Sequence, residues 1–128
     1  FPIGVILVDV NNLKSLNDSE GHAAGDALLR RVAGVLKAGV RTEDLVARIG
    51  GDEFAVVVPQ ADDEVMGAII RRIRDGERAA DTDASPTRFA LGADVAAASD
   101  TRLSDTVRRA DARMFDDKRA GRSQRSGP

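Results

Sequence analysis

Cysteine, tryptophan and tyrosine are absent from this sequence, and histidine occurs once, at His22. Without cysteine, the chain can form no disulfide, no thiol nucleophile and no thiolate zinc site. One histidine also leaves no partner for a histidine-based metal centre. Any bound metal should therefore be held mainly by oxygen ligands.

Aromatic residues are scarce, and neither sign of charge dominates. Phenylalanine, present four times, is the only aromatic type among Phe, Trp and Tyr. This leaves little material for the stacking platforms of proteins that bind single-stranded nucleic acid. A formal net charge of -2 also argues against a broad basic surface. We therefore expect no nucleic-acid partner.

Long apolar runs are missing as well. None approaches the roughly 20 residues that span a bilayer, and the first residues lack the charged start of a signal peptide. We expect a cytoplasmic location, with membrane attachment of the full-length protein left open. The 128 residues suit one domain, which we assign to residues 1–122, with residues 123–128 as a disordered tail.

The apolar pattern predicts the order strand, helix, helix, hairpin, helix, strand, helix. This order indicates an α/β sandwich in which helices flank a central mixed, largely antiparallel sheet. A polar loop is expected over residues 77–88. The other expected segments are a strand at Val5–Val8, a helix over Ala27–Leu36, hairpin strands Leu45–Ile49 and Asp52–Val58, a helix from Val65 to a stop at Gly76, a strand at Phe89–Ala98, and a helix from Leu103 toward Lys118.

The hairpin turn is predicted at Gly50-Gly51, because paired glycines can take the positive φ angles of a tight turn. Asp52 follows this turn, and Asp9 ends the first strand. If the two strands are neighbours, both carboxylates could hold Mg²⁺ or Mn²⁺, since Mg²⁺ uses one or two carboxylates together with substrate phosphates. The alternative is that both are ordinary turn residues.

Several ordered motifs together resemble the GGDEF family of diguanylate cyclases. The resemblance runs through nearly the whole chain and is much more specific than a single short match. The matching segments are Asp9-Val10-Asn11-Asn12-Leu13-Lys14-Ser15-Leu16-Asn17-Asp18, Gly21-His22, Gly25-Asp26, Ile49-Gly50-Gly51-Asp52-Glu53-Phe54, Ala110-Asp111, Lys118 and Gly121-Arg122.

The resemblance implies an enzyme that condenses two GTP molecules into cyclic di-GMP and two pyrophosphates. It also implies the architecture of nucleotidyl cyclases and polymerase palm domains. Two copies of the domain would act together as a catalytic homodimer, and the full-length protein would carry an attached sensory or regulatory domain. The family's usual N-terminal segment, of Asp-x-Leu-Thr type, is expected to lie outside this sequence.

Residue roles follow from the same resemblance. Metal would be held by the Asp9 and Asp52 carboxylates and the Val10 carbonyl. Glu53 would assist catalysis with Asp52, either at the metal or by activating the 3′-hydroxyl. Asn17 and Asp26 would read guanine, whose N1–H and amino group are adjacent donors. The other implied substrate contacts are Asn12, Leu13, Gly50, Gly51, Lys118 and Arg122.

An Arg-x-x-Asp sequence, Arg41 to Asp44, lies upstream of the hairpin at the offset of the family's inhibitory product site. Arg72 matches a supporting position there. Arginine suits both phosphate oxygens and the Hoogsteen edge of guanine. The alternative is an exposed ion pair of little energetic consequence.

The chain also departs from the family pattern. Asn11 stands where a second aspartate is common, Ala90 where serine is common and Asp117 where alanine is common. Asn11 replaces no assigned metal ligand, whereas Ala90 and Asp117 are expected to alter packing near the phosphates. The competing function is a non-catalytic receptor for cyclic di-GMP or GTP, which the intact Asp52-Glu53 pair disfavours. A purely structural dimerisation module ranks last, because it would not need these acids together.

Overall fold

The structure is a computed structural model that describes residues 1–97 and 102–125, the last four of these by their backbone alone. Its elements follow the predicted order. They are β1 (Ile3–Val10), α1 (Leu13–Glu20), α2 (His22–Gly39), β2 (Leu45–Arg48), β3 (Glu53–Pro59), α3 (Asp63–Ala80), β4 (Phe89–Ala96) and α4 (Leu103–Arg125).

The four strands form one sheet in the order β2-β3-β1-β4, and each of these pairings is antiparallel. The predicted α/β sandwich is confirmed, with an antiparallel sheet and no parallel pairing among the described strands. The central strand β1 carries Asp9 opposite Glu53 of β3 on one side and Ala90 of β4 on the other. Asp9 therefore lies in the middle of the sheet, with β3 on one side and β4 on the other.

Both faces of β1 are buried, which explains why its sequence is a continuous apolar run rather than an alternating one. Ile6 and Val8 face the larger core, which the helices α2 and α3 complete. Val5 and Leu7 face a smaller cluster that includes Met114 of α4. Since side chains alternate along a strand, Asp9 continues the face of β1 that α4 covers.

Helix α4 lies unusually close to strand β4 at Gly92. A Cβ atom built on Gly92 would be 2.1 Å from the Ala110 oxygen and 2.1 Å from the Met114 nitrogen. Only glycine allows this approach of the two backbones without displacing one of them. The contact sets the height of α4 above the sheet.

The predicted helix stop at Gly76 is wrong. Helix α3 continues to Ala80, so residues 77–80 are helical and the loop begins later than expected. Gly76 is a packing residue, since its Cβ position lies only 3.1 Å from a methyl group of Val35 on α2. The backbone N–H of Asp81 still bonds to the Glu77 oxygen at 2.9 Å, which closes the final turn.

Two other ends differ from expectation. Strand β4 ends at Ala96, and residue 98, where its end was predicted, lies outside the described residues. Helix α4 continues through Arg125, beyond the domain end predicted at residue 122, while residues 126–128 of the expected tail also lie outside the description. In the part of the chain that the structure covers, no helix has the length and apolar character needed to cross a membrane.

The hairpin between β2 and β3 is present, but its turn is not the predicted tight one. Neither Gly50 nor Gly51 has a positive φ angle, and four residues connect the strands. Arg48 instead closes the turn, because its guanidinium donates to the Gly50 oxygen at 3.1 Å and the Gly51 oxygen at 2.9 Å. Asp52 is therefore the last residue of a turn that the hydrogen bonds of Arg48 hold in place.

Candidate active site

The Asp9 carboxylate lies at the end of the central strand and is nearly buried, with the residue 8% exposed. Its Oδ2 accepts a hydrogen bond from Nζ of Lys118 at 3.0 Å. Its Oδ1 is buried and has no hydrogen-bond partner. A buried polar atom without a partner is rare and costly in a native protein, so this oxygen is suited to receive a ligand.

Asp52 is held beside Asp9 by the backbone. The Val10 N–H donates to the Asp52 oxygen at 2.8 Å, joining the end of β1 to the residue that precedes β3. Partial burial, followed by the negative charge of Asp9, raises the pKa of Asp52. The two carboxylates repel each other here, and Lys118 offsets the repulsion only in part.

Glu53, directly across from Asp9 in the sheet, experiences the same negative field. Burial raises the pKa of Glu53, and the charges of Asp9, Asp52 and Asp111 raise it further. Asp111 belongs to α4, and no role in the site was predicted for it. Its position within the Ala110-Asp111 motif was the signal that could have drawn attention to it.

A small cavity of about 180 Å³ opens where β1 passes into α1. Asn12 makes this turn in the left-handed region at φ 63, which asparagine tolerates better than most residues, and its side chain caps no helical N–H. The cavity therefore lies at an uncapped helix N-terminus. It is lined by Val10, Asn11, Asn12, Leu13, Lys14, Ser15, Asp52 and Lys118.

This cavity unites many of the predicted site residues. Five of them line it, from both ends of the chain: Val10, Asn12, Leu13, Asp52 and Lys118. Gly50 and Gly51 do not line it but belong to the exposed hairpin turn. Arg122 belongs to α4, one helical turn after Lys118, and the structure describes its backbone but not its side chain.

The predicted guanine-reading residues lie further along the first two helices. Asn17 follows Leu13 by one turn of α1, about 6 Å along the helix axis. Its Oδ1 is buried without a hydrogen-bond partner, and a Cβ on Gly25 would lie 1.8 Å from it. Gly25 is thus required for packing, and the next residue, Asp26, is exposed on α2. The structure brings Asn17 close to the backbone beside Asp26 without forming a bond between the two side chains.

Divalent metal fits the donor set only in part. Among residues 1–97 and 102–125, no group of three or more acidic or histidine side chains is arranged to hold a metal ion. The unpartnered Oδ1 of Asp9 and the nearby Asp52 carboxylate are nevertheless hard oxygen donors of the kind that Mg²⁺ prefers. The remaining ligands would have to come from groups other than these two side chains.

The Arg-x-x-Asp sequence forms a closed hydrogen-bonded turn before β2. The Asp44 carboxylate accepts from the Arg41 backbone N–H at 2.7 Å and from its guanidinium Nη2 at 3.0 Å. The Asp44 side chain is 0% exposed and that of Arg41 is 27% exposed. The alternative of an exposed ion pair is therefore wrong for Asp44, because its side chain is fully enclosed.

Arg41 also donates to the Pro59 oxygen at 2.6 Å, at the end of β3. Glu43 lies 3.9 Å from Nη1 of Arg41, a contact the sequence analysis missed. Arg72 is exposed on α3, and its Nε donates to the Gly39 oxygen at 2.9 Å. In this structure, the three predicted inhibitory-site residues are thus engaged with the chain itself.

Comparison with known proteins points in one direction. The family model described as "Diguanylate cyclase, GGDEF domain" matches residues 1–124. Diguanylate cyclase DgcS of Shewanella oneidensis is 33% identical over 124 residues, which are 94% of this chain and 40% of that protein.

Two solved structures extend the likeness to the fold. Diguanylate cyclase SiaD of Pseudomonas aeruginosa, in complex with its activator SiaC, matches with a TM-score of 0.81 and 31% identity, over 94% of this chain and 47% of that one. The GGDEF domain of DgcB from Caulobacter crescentus, in complex with cyclic di-GMP, matches with a TM-score of 0.75 and 25% identity, over 94% and 74%. The chain spans less than half the length of the curated relatives it matches.

Proposed function

The chain belongs to the GGDEF family of diguanylate cyclase domains, and from that premise we propose that it condenses two GTP molecules into cyclic di-GMP and two pyrophosphates. One observation carries the proposal. An uncapped helix N-terminus and Lys118 line the cavity at the end of β1, and Lys118 bonds to Asp9, whose other carboxylate oxygen is buried without a partner. This combination suits a metal-bound triphosphate.

The phosphates of GTP would lie against the start of α1. The first N–H groups of a helix have no partner within it, and together with the helix dipole they favour anions. Lys118 is 38% exposed, and Asp9 is its present partner. A bound triphosphate would share Lys118 with Asp9, and Arg122 would supply a second cation one turn later. Gly50 and Gly51 would border the substrate from the hairpin turn.

Asp9, Asp52 and the Val10 carbonyl would hold Mg²⁺ or Mn²⁺, which when bound neutralises triphosphate charge and polarises the phosphoryl oxygens. In each of two steps, the 3′-oxygen of one GTP bonds to the α-phosphorus of the other, and the bond from that phosphorus to pyrophosphate breaks. We assign the hydroxyl proton to Glu53, because this carboxyl group pairs with Asp9 across the sheet and lies next in sequence to Asp52, beside the proposed metal ligands.

The base would be selected by Asn17 and Asp26. Guanine presents two adjacent donors to a carboxylate, whereas adenine presents an acceptor at the corresponding ring position. The unpartnered Oδ1 of Asn17 is available for one of these donors. We expect calorimetry to show GTP binding at least about tenfold tighter than ATP binding, as one lost polar contact can account for that ratio. Equal affinities would remove this assignment.

One site has ligands for one triphosphate, whereas the product contains two nucleotides. Two copies of the domain would therefore each present one GTP, and their apposition would turn a chance encounter into an oriented attack. An attached sensory or regulatory domain of the full-length protein would control this pairing. Initial rate per mole of chain should rise with chain concentration, and a flat profile from a demonstrated monomer would contradict the paired mechanism.

The decisive experiment is incubation with GTP and Mg²⁺, followed by chromatography of the products. Parent chain, parent fused to a dimerising partner, and parent with chelator should be compared. Cyclic di-GMP is expected in the first two and absent in the third. If the fused form makes none, the proposed enzymatic function fails.

A receptor for cyclic di-GMP is the second candidate, and the exposure of two predicted arginines favours it. The Arg41 side chain beside Asp44 is 27% exposed, and Arg72 is exposed on α3. In the enzyme, the same residues would form a site for product inhibition. Binding of labelled cyclic di-GMP by a forcibly dimerised chain that makes no product would identify a receptor.

A further inference from the structure

Arg74 of α3 joins two carboxylates that come from different helices. Its guanidinium donates to Oε1 of Glu77 at 2.8 Å and to Oδ2 of Asp117 at 2.6 Å. It also donates to the Phe89 oxygen at 3.0 Å and lies over the Phe89 ring, 5.6 Å from its centre. The side chain therefore ties α3, β4 and α4 together.

The same two carboxylates bond to the backbone of β4, an outer strand of the sheet. The Phe89 N–H donates to Oε2 of Glu77 at 2.8 Å, and the Leu91 N–H donates to Oδ2 of Asp117 at 2.8 Å. Backbone donors on an outer strand lack a neighbouring strand to accept them. Here two side chains take that place, and Arg74 holds both.

Asp117 directly precedes Lys118 in α4. Its contacts with Leu91 and Arg74 fix this turn of the helix against β4, while Lys118 reaches Asp9 of β1. A cavity of about 570 Å³ borders Arg74, Asp117 and Lys118 together.

We infer that Asp117 is a positioning residue for Lys118. By binding the edge of β4 and the guanidinium of Arg74, it holds the helical turn from which Lys118 reaches Asp9. The consequence for GTP rests on the function proposed above, in which Lys118 contacts the triphosphate. The position of Lys118 itself does not depend on that function.

The first test therefore uses no nucleotide. The chain contains three lysines, Lys14, Lys37 and Lys118, so ¹³C-lysine labelling gives a short NMR spectrum in which Lys118→Arg assigns the third signal. In Asp117→Ala, we expect the Lys118 ε-methylene signal to move to the position of a solvated lysine. The control Asp116→Ala removes the same charge from the exposed neighbouring residue and should leave the signal in place.

Asp117→Asn separates the two contacts, because an amide oxygen can still accept from Leu91 but carries no charge for Arg74. We expect an intermediate shift of the Lys118 signal. It also serves as the test variant if Asp117→Ala does not fold. An unchanged Lys118 signal in a folded position-117 variant, or an equal change in Asp116→Ala, overturns the inference.

The second test asks what the position of Lys118 does for the ligand. Asp117→Ala should weaken binding of GTP with Mg²⁺ by about tenfold, since small misplacements of a contact group are costly. It should leave guanosine binding unchanged, because guanosine has no phosphate. General loosening of the fold would weaken both, and that result would contradict a positioning role. If the parent binds no GTP, the proposed function fails and the NMR result alone decides the position of Lys118.

Discussion

Two acidic regions of this molecule differ in whether their carboxylate oxygens have hydrogen-bond partners within the chain. At the end of β1, Asp9 keeps a buried oxygen without a partner, and burial and the charge of Asp9 raise the pKa of Asp52. Before β2, the enclosed Asp44 carboxylate accepts from both the backbone and the guanidinium of Arg41. The first region is unfavourable without a ligand, whereas the second is satisfied by the chain alone.

The difference separates residues whose polar groups stabilise the fold from residues whose polar groups are left without partners in the chain. Repelling carboxylates cost stability and persist where function needs them. A closed ion pair stabilises a turn without any ligand, so binding there has to use the part of Arg41 that remains exposed or displace an existing contact. Substitutions in the two regions should therefore affect stability and activity in opposite ways.

The largest effect is expected from Asp52→Asn, which removes the charge but keeps the size. Synthesis of cyclic di-GMP should fall by more than about a hundredfold, because a ligand for the metal and triphosphate is lost. The melting temperature without metal should not fall, because the repulsion by Asp9 is relieved. Asp18→Asn, an exposed acid on α1, serves as the control. Near-parental synthesis by Asp52→Asn would remove this residue from the site.

The next largest effect is expected on ligand binding, where substitutions in the two regions should weaken different ligands. Arg41→Ala should weaken binding of cyclic di-GMP by more than about tenfold, as charged hydrogen bonds to phosphate are lost, and leave GTP binding intact. Lys118→Ala should show the reverse pattern. Isothermal calorimetry of Arg41→Ala and Lys118→Ala with GTP and with cyclic di-GMP measures the four affinities. If Arg41→Ala binds cyclic di-GMP as tightly as the parent does, the turn has only a structural role.

Thermal stability should respond in the opposite way, because substitution of Asp44 should lower the melting temperature whereas substitution of Asp52 should not. Asp44→Ala removes the acceptor of the Arg41 backbone N–H and leaves the Arg41 guanidinium with only the Pro59 oxygen as hydrogen-bond acceptor, so the melting temperature should fall by about 5 °C. Glu43→Ala is the matched control, because Glu43 is 60% exposed and only 3.9 Å from the same arginine. Circular dichroism during heating measures both variants. Equal melting temperatures would mean that the enclosed pair contributes no more than the exposed one.

The smallest effect concerns pH. A carboxyl whose pKa is raised by folding favours the native state when protonated, and this contribution is lost as pH rises through the raised pKa. Without metal, Asp52→Asn should melt about 1–3 °C above the parent at neutral pH, because solvent screens much of the repulsion. The difference should disappear as pH falls below the ordinary aspartate pKa, near 4. A difference that grows on acidification would contradict the raised pKa.

Local sequence patterns predicted the order of the elements but not every boundary. The stop expected at Gly76 failed because that glycine accommodates Val35 of another helix, which no local pattern records. The hairpin turn failed for a similar reason, since Arg48 closes it through hydrogen bonds that do not require positive φ angles. Both errors come from contacts that form only after the elements pack.

The site was predictable mainly through the family motifs. Asp9 and Lys118 are 109 positions apart and meet at 3.0 Å, a contact that apolar periodicity alone cannot reveal. The contacts of Asp117 and the effect of Asp111 on the pKa of Glu53 were missed, because an acid on a long polar helix is usually solvent-exposed. The burial of Asp44 was missed as well, since Arg-x-x-Asp is a common surface sequence. In each case the missing information was which strand the helix or turn contacts.

The close contact at Gly92 makes the distance between α4 and the sheet depend on the absence of a side chain at this position. Even alanine would place a carbon within 2.1 Å of the α4 backbone, so α4 would have to move away from β4. Met114, at this contact, and Lys118 are one helical turn apart, so the displacement would reach the Lys118 ammonium group. A substitution at position 92 would thus displace Lys118 through the helix backbone, without altering any residue that lines the cavity at the end of β1.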